Sequence, residues 1–499
     1  MAKKEKNKWE HGDFQTPPQL ARTAIAKIQS LGVKPKTILE PTCGQGTFLL
    51  AARHAFPEAS LFVGLDINQQ YLKELENQIS HLGGGNSVQL IHDDFFCFNW
   101  QQLLNELPEP ILIVGNPPWV TNSELGRLES ENLPKKSNFQ ERRGYEAITG
   151  KSNFDISEWM LRQYLEWLTN RCGMITLLCK TSVARKALFQ AWKHKLNVGS
   201  SRMFLVDAAK HFGASVDACF LIIEMSTHSI SFECTVFDDF DAKQPLQNIG
   251  YHNGIVFSNL KHYQRWSHLK GTNSAYTWRS GIKHDCSKVM ELEAVGNIYR
   301  NGLGEQINLE DQYIYPLLKS SDLGNGHTRY GRKWMLVTQK YVGEDTTPIK
   351  RIAPKTWNYL EAHDEFFTKR ASSIYRNRPR YSIFGIGDYA FASWKVAISG
   401  FYKKLSFKLI EPYQGKPVVL DDTSYFLPCW CEAQAQFMTT LLNSKPAQQF
   451  LESMIFWTDK RPITIEVLKR LDIHALSIEL GYEAEYLQFA HQPTVLGAL

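Results

Sequence analysis

Thr37-Ile38-Leu39-Glu40-Pro41-Thr42-Cys43-Gly44-Gln45-Gly46-Thr47-Phe48 is the stretch on which the fold turns. A short apolar run ends in an acid, bends through proline and two glycines, and enters 47–55, where apolar residues recur at helical spacing. Strand, glycine turn and helix together open a parallel sheet, and glycines at that turn let the backbone come close to a ligand. No lysine follows to cradle phosphate, and no third glycine completes a dinucleotide fingerprint, the helix running on through Phe48. Twenty residues after Gly46 comes Asp66, at the end of the run 61–66, a separation at which an acid grips a ribose diol. A further acid, Asp94, follows the run 88–92 in His92-Asp93-Asp94-Phe95-Phe96. This spacing suits a nucleoside ligand whose amino-acid tail lies on the glycine turn.

Working outward, short β-rich runs at 37–40, 61–66, 88–92, 111–115, 174–179, 202–206 and 218–225 alternate with helical patterns at 17–31, 47–55 and 156–169. That alternation predicts an α/β domain over 1–245, built on a mostly parallel sheet. Too few residues separate the last two runs for a crossover helix, so the last strand is expected to be antiparallel. From 246 to 499 the texture changes to a second, mixed α+β domain. Strand-like pieces lie at 381–384, 395–398 and 418–420, and helical patterns at 432–442 and 463–471.

Composition sets the class. The 499 residues are 43% hydrophobic and 21% charged, which excludes wholesale disorder. The longest apolar runs, 111–114 and 219–223, are far too short for a bilayer, and the Lys-rich start lacks a signal-peptide core. Nine cysteines are scattered with no CxxC pair, so reduced thiols are expected and no metal site. The net charge is only +5, yet 328–380 holds 12 basic against 5 acidic residues, a polyanion-facing pattern.

The fourth run ends in Asn116-Pro117-Pro118-Trp119, at a strand end where a parallel sheet carries its active site. With Phe14-Gln15-Thr16-Pro17, Glu40 to Phe48, Asp66 and Asp94-Phe95, this tetrapeptide resembles the gamma-class N6-adenine-specific DNA methyltransferases of bacterial restriction–modification systems. The motifs stand in that class's order, and Gly150-Lys151-Ser152-Asn153-Phe154, 173–180 and Lys210-His211-Phe212 continue the likeness. Less specific likeness follows in 281–285 and 380–384.

The resemblance implies a Rossmann-like methyltransferase sheet and S-adenosyl-L-methionine as cofactor. Phe14 and Thr16 would contact its methionine part, and Glu40, Cys43, Gly44 and Gly46 would line that pocket. Asp66 would bind the ribose hydroxyls, and Asp94 and Phe95 would hold the adenine ring. Asn116, Pro117, Pro118 and Trp119 would be catalytic. An adenine amine is a poor nucleophile because its lone pair is delocalised; the Asn116 side-chain oxygen and the Pro117 carbonyl can accept its hydrogens and stabilise the positive charge that develops. The methyl would pass directly, with no covalent enzyme intermediate. The target base would be flipped from duplex DNA and stacked on Trp119, with Phe212 over its other face. Residues 246–499 would recognise the target, with Arg329, Arg332, Lys333, Arg376, Arg378 and Arg380 as candidate DNA contacts.

The implied partner is double-stranded DNA, with a separate restriction endonuclease compatible with the class. A monomer in the bacterial cytoplasm, without membrane association, is the expected state. RNA-base and cytosine-N4 methylation are the alternatives, since they present similar nitrogens. A fused nuclease is a further one; its best acidic cluster, 238–243, is cramped, and only about a dozen residues precede Phe14.

Overall fold

The computed structural model describes residues 15–82, 86–120, 155–226, 228–272, 275–296, 298–325 and 330–490. Chain contacts divide it into two compact units, Met1–Leu260 and Lys261–Leu499.

The first unit is wound on one sheet. Its strands are β1 (Thr37–Glu40), β2 (Leu61–Asp66), β3 (Ser87–His92), β4 (Ile111–Gly115), β5 (Gly173–Lys180), β6 (Val198–Val206), β7 (Ala218–Met225), β8 (Glu233–Phe237), β9 (Gln247–His252) and β10 (Ile255–Phe257). They lie in the order β10-β9-β8-β6-β7-β5-β4-β1-β2-β3. β3, β2, β1, β4 and β5 run parallel. β7 is antiparallel to both β5 and β6, as the short connection predicts. The central strands β1 and β4 are buried at every residue, which is why they read as unbroken apolar runs.

Helices α1 (Pro18–Ser30), α2 (Thr47–Ala55), α3 (Gln69–Leu82), α4 (Trp100–Glu106), α5 (Ile156–Trp167), α6 (Thr181–Lys193) and α7 (Ala208–Phe212) fill the connections. One buried cluster joins Ile25 of α1, Phe48 of α2, Phe62, Val114 and Phe220 of the sheet, and Trp119. Phe48 therefore has a packing role: it is 1% exposed and stacks on Phe220 at 6.3 Å between centroids. Burial of that size stabilises by roughly 1.5–3 kcal/mol.

Two boundaries differ from the sequence reading. β8, β9 and β10 extend the first sheet, so the unit runs to Leu260 rather than 245. β8 escapes notice because its burial alternates along a polar-interrupted Glu-Cys-Thr-Val-Phe. β6 also begins four residues before the predicted 202, in a Val-Gly-Ser-Ser segment with a register shift.

The second unit holds a four-stranded and a six-stranded sheet. The first is β11 (Arg279–Ser280), β20 (Ser424–Cys429), β17 (Trp394–Ser399) and β18 (Lys408–Ile410); the second is β14 (Gln306–Ile307), β13 (Ile298–Asn301), β12 (Glu291–Val295), β16 (Lys333–Leu336), β15 (Ile314–Leu318) and β19 (Val419–Leu420). The pattern at 432–442 is the helix Glu432–Leu442, while 463–471 contains only the short Ile465–Leu468.

Residues 381–383 are buried, yet the segment forms no strand: Phe384 alone makes an isolated antiparallel bridge, exchanging backbone hydrogen bonds with Lys283 at 2.9 Å each way. Tyr381 has φ +60°, and two other backbone groups bond side chains: Thr338 Oγ1 donates to the Tyr381 carbonyl at 2.7 Å, and the Ile383 N–H donates to Gln339 Oε1 at 2.9 Å. Among the described residues, no helix is long and apolar enough to cross a membrane.

Candidate active site

The sheet order changes direction between β1 and β4, and the chain leaves both strands at the same edge. A crevice at such a switch point is where open α/β sheets bind ligands. The two turns meet there, since a Cβ built on Gly115 would lie 3.4 Å from Glu40 Cγ.

The glycine turn is shaped from both sides. Gly44 and Gly46 have φ of +51° and +72°, a left-handed region that side chains other than glycine rarely enter. A Cβ would meet Gln15 at 2.8 Å in the first case and Leu75 at 2.4 Å in the second. Gly46 then starts α2, its carbonyl accepting from the Leu50 N–H at 2.9 Å. Gln15 contributes directly: its Oε1 accepts from the Gln45 N–H at 3.3 Å. Sequence reasoning gave roles to its neighbours Phe14 and Thr16 and none to Gln15; Thr16 is buried, and Phe14 lies outside the described residues.

Asp66 braces the same turn. Its Oδ2 accepts from the Gly44 N–H at 2.6 Å and its Oδ1 from the Asn68 N–H at 2.8 Å. Glu40 is buried, and its Oε2 accepts from the Leu49 N–H at 2.9 Å. Burial pushes the Glu40 carboxyl well above its ordinary range; the Leu49 N–H pulls against this, and the negative Asp66 adds to it. Cys43 is buried too, and burial with both nearby carboxylates raises its thiol far out of the nucleophilic range.

After β3, Asp93 is exposed and Asp94 half-buried, so Asp94 is the inward member of the doublet. Its Oδ1 accepts from the Phe96 N–H at 2.9 Å. Phe95 is 5% exposed and packed among Trp100 at 5.1 Å, Trp167 at 5.8 Å and Tyr164 at 6.0 Å between centroids. That ring is committed to the core under α5.

At the end of β4, Asn116 is half-buried, Pro117 buried, Pro118 half-buried and Trp119 buried. The Trp119 indole N–H donates to the Leu178 carbonyl at 3.4 Å. Phe212 closes α7, before Gly213, and its ring centroid lies 5.2 Å from that of Trp119, tilted by 60°. Structure thus joins two aromatics that are 93 residues apart in the sequence. A planar base between two rings needs about 7 Å, twice the ordinary carbon contact, so in this structure the rings touch each other. Residues 150–154 lie outside the described residues.

In the second unit the candidate basic residues separate into two kinds. Arg332 pairs with Asp322 at 2.9 Å, Lys333 lies 3.9 Å from Glu291 and Glu293, and Arg380 pairs with Asp364 at 2.9 Å. Arg376 and Arg378 are exposed and form no ion pair among the described residues, Arg378 lying 5.8 Å over the Phe384 ring. Arg329 lies outside the described residues.

A glycine turn with a diol-spaced acid, set beside Asn-Pro-Pro-Trp on adjacent strands of this sheet, is the arrangement of a Rossmann-like methyltransferase acting on an amino nitrogen. The family model for N-6 DNA Methylase matches residues 1–186. The chain is 44% identical over 473 residues to the type II methyltransferase M.NspV of Nostoc sp. (strain ATCC 29411 / PCC 7524), covering 95% of this chain and 98% of that one. It belongs to that family, the N6-adenine DNA methyltransferases of restriction–modification systems. The type IIL restriction-modification enzyme MmeI, solved in complex with DNA, shares the fold at TM-score 0.51 and 12% identity, over 95% of this chain and 68% of that one.

Proposed function

We propose that this chain transfers a methyl group from S-adenosyl-L-methionine to the N6 amine of an adenine flipped out of duplex DNA, with Asn116 and Pro117 accepting the amine's hydrogens. The observation that carries this reading is the meeting of the Glu40–Gly46 turn and the Asn116 tetrapeptide at one strand edge.

The residues fit the cofactor. The ends of β1, β2 and β3 offer carboxyls at Glu40, Asp66 and Asp94, and the turn has no lysine or arginine between 37 and 52, which suits a ligand carrying an ammonium and a sulfonium. Two lone pairs per oxygen let the Asp66 carboxylate brace the turn and still accept from a diol. Thr16, Gly44 and Gly46 would hold the methionine part, at the positive end of α2. Phe95 would shape the adenine pocket from behind, as part of the aromatic core, rather than stack on the ring. The cofactor supplies an electrophilic methyl. Everything else is positioning: Asn116 and Pro117 orient the amine, and the proton leaves after transfer.

Trp119 would be the fixed face of the base pocket and Phe212 the face that moves aside, because the rings are in contact. Trp119→Ala is expected to weaken capture of the flipped base by about 1–3 kcal/mol, the scale of base–aromatic stacking. Unpairing costs less at a mismatch, so an enzyme that captures the flipped base binds mismatched targets more tightly than matched ones. In the variant that preference should shrink towards one; unchanged preference and activity would count against the stacking role.

Recognition would fall to the second unit. Arg376 and Arg378 are the proposed primary phosphate or base contacts; Arg332, Lys333 and Arg380, already paired, would orient secondary ones, with Arg329 beside them in sequence. Replacing both Arg376 and Arg378 by Ala should flatten the plot of log affinity against log salt by about 2, one unit per lost phosphate contact. A slope equal to that of the wild type would remove them from the interface.

The test is native long-read sequencing of plasmid from a methylation-deficient host expressing the chain. Methylated adenine confined to one short motif is the expected result. Unmodified DNA beside well-folded, cofactor-binding protein would overturn the proposal.

A further inference from the structure

A partly buried ion pair stands where the tetrapeptide ends. Lys180 is the last residue of β5, the strand beside β4. Its Nζ donates to the Trp119 carbonyl at 3.1 Å and to Asp155 Oδ2 at 2.6 Å. The two side chains are 19% and 9% exposed. Asp155 is itself fixed: it caps α5, its Oδ1 accepting from the Ser157 N–H at 3.0 Å and the Ser157 hydroxyl at 2.5 Å. The next residue, Ile156, donates its N–H to the Val120 carbonyl at 2.9 Å. Two residues before Lys180, the Leu178 carbonyl holds the indole N–H of Trp119. The end of β5 therefore grips Trp119 twice, once by its backbone and once by its ring.

We propose that Lys180, seated on Asp155, is a positioning residue for methyl transfer: it fixes the Trp119 carbonyl, and with it the stacking face and the path of the Asn116 loop. The proposal rests on the reading of the tetrapeptide given above. Fold stability alone does not account for the pair. A buried ion pair is often matched or bettered by apolar residues of similar volume. What the pair supplies is geometry: a cation placed by a carboxylate that a helix start holds still. Asp155 has a second effect. The reacting nitrogen becomes positive during transfer, and an ammonium at the end of the tetrapeptide without its carboxylate would oppose that charge. The two variants are thus unequal. Asp155→Asn leaves a bare cation, whereas Lys180→Met leaves a capping carboxylate still engaged by Ser157.

The test uses the full chain and an unmethylated duplex bearing the motif that the chain modifies. Lys180→Met should lower kcat about 100-fold, the cost of misplacing a reacting group by roughly 1 Å, while affinity for S-adenosyl-L-methionine stays within about threefold. Without cofactor, its preference for a mismatched over a matched target should fall towards one, as for Trp119→Ala. Lys180→Arg, which keeps a cation in reach of the carbonyl, should recover at least tenfold of the lost kcat. Asp155→Asn should be slower than Lys180→Met, and the double variant no slower than Lys180→Met alone. If Lys180→Met fails to fold, Asp155→Asn carries the test, with a loss of kcat above about 100-fold expected. Wild-type kcat and wild-type mismatch preference in folded Lys180→Met or Asp155→Asn would overturn the proposal. So would losses that vanish when assayed well below a lowered melting temperature. An active Asn116→Ala enzyme would instead overturn the tetrapeptide reading, which separates the two failures.

Discussion

Asn116→Ala is expected to lose methyl transfer by about 100- to 1,000-fold, the scale of one preorganised hydrogen-bonding group aimed at a developing charge. The argument starts from the amine. Its lone pair lies in the ring's π system, so attack on a methyl needs the nitrogen to pyramidalise while it becomes positive. An oxygen acceptor on each of its hydrogens favours that change, and a rigid acceptor reorganises nothing at the moment of reaction. Asn116 meets the requirement because it follows a fully buried strand whose last residue, Gly115, lies against Glu40 at the crevice. Alanine removes one acceptor and leaves the Pro117 carbonyl. Affinity for S-adenosyl-L-methionine should stay near that of the wild type, because the Gly44–Gly46 turn and Asp66 are untouched. Asn116→Asp keeps an acceptor oxygen and should retain more activity than Asn116→Ala. Single-turnover transfer of a labelled methyl, with cofactor affinity measured separately, checks both. Turnover of Asn116→Ala within tenfold of the wild type would falsify the acceptor role.

Much of this site is legible in the sequence because its parts sit at strand ends, and central strands announce themselves. β1, β2, β4 and β7 occupy the very residues that unbroken apolar runs predict. A strand buried on both faces must be apolar throughout, and its polar end then marks the crevice. The strands beyond β6 carry no such signature. β8 to β10 are half-buried and alternate with polar residues, so they read as the beginning of something else. The reverse failure is 381–384, an apolar run with Arg380 ahead of it. Its backbone is partnered by the side chains of Thr338 and Gln339 and by the distant Lys283 backbone, which no local pattern reveals. Lys180 and Asp155 illustrate a third limit. Each is an ordinary residue at an element's end; only the packing of β5 against β4 and α5 turns them into a clamp. Phe95 adds a fourth, since an aromatic beside a ligand acid reads as a stacking ring until its neighbours Trp100, Tyr164 and Trp167 are in place.

Lys395→Met is expected to stabilise the second unit at neutral pH and to lose that advantage in alkali. Lys395 is 1% exposed, the second residue of β17, and its Nζ donates to the Ala392 carbonyl at 2.6 Å. Burial pulls its ammonium from an ordinary 10.5 down to about 7, with Cys429 acting in the opposite direction. Above 10.5 the folded and unfolded chains both carry the amine neutral. Between about 7 and 10.5 the unfolded chain binds a proton that the folded chain refuses, so wild-type stability climbs with pH through that window. At pH 7.5 the deficit approaches about 4 kcal/mol, at 1.36 kcal/mol for each unit of displacement. Methionine has no proton to refuse and similar length, so it removes the deficit. It also strips the Ala392 carbonyl of its donor, which costs about 1–3 kcal/mol. The net gain, about 1–3 kcal/mol, corresponds to a melting temperature higher by roughly 3–10 °C for a domain of this size. Near pH 10.5 the proton contribution is gone and the lost hydrogen bond remains, so the variant should melt below the wild type. Paired thermal melts at the two pH values test this through the sign of the difference. A variant less stable at both, by the same margin, would mean that Lys395 is charged in the folded protein with an anion to hold it.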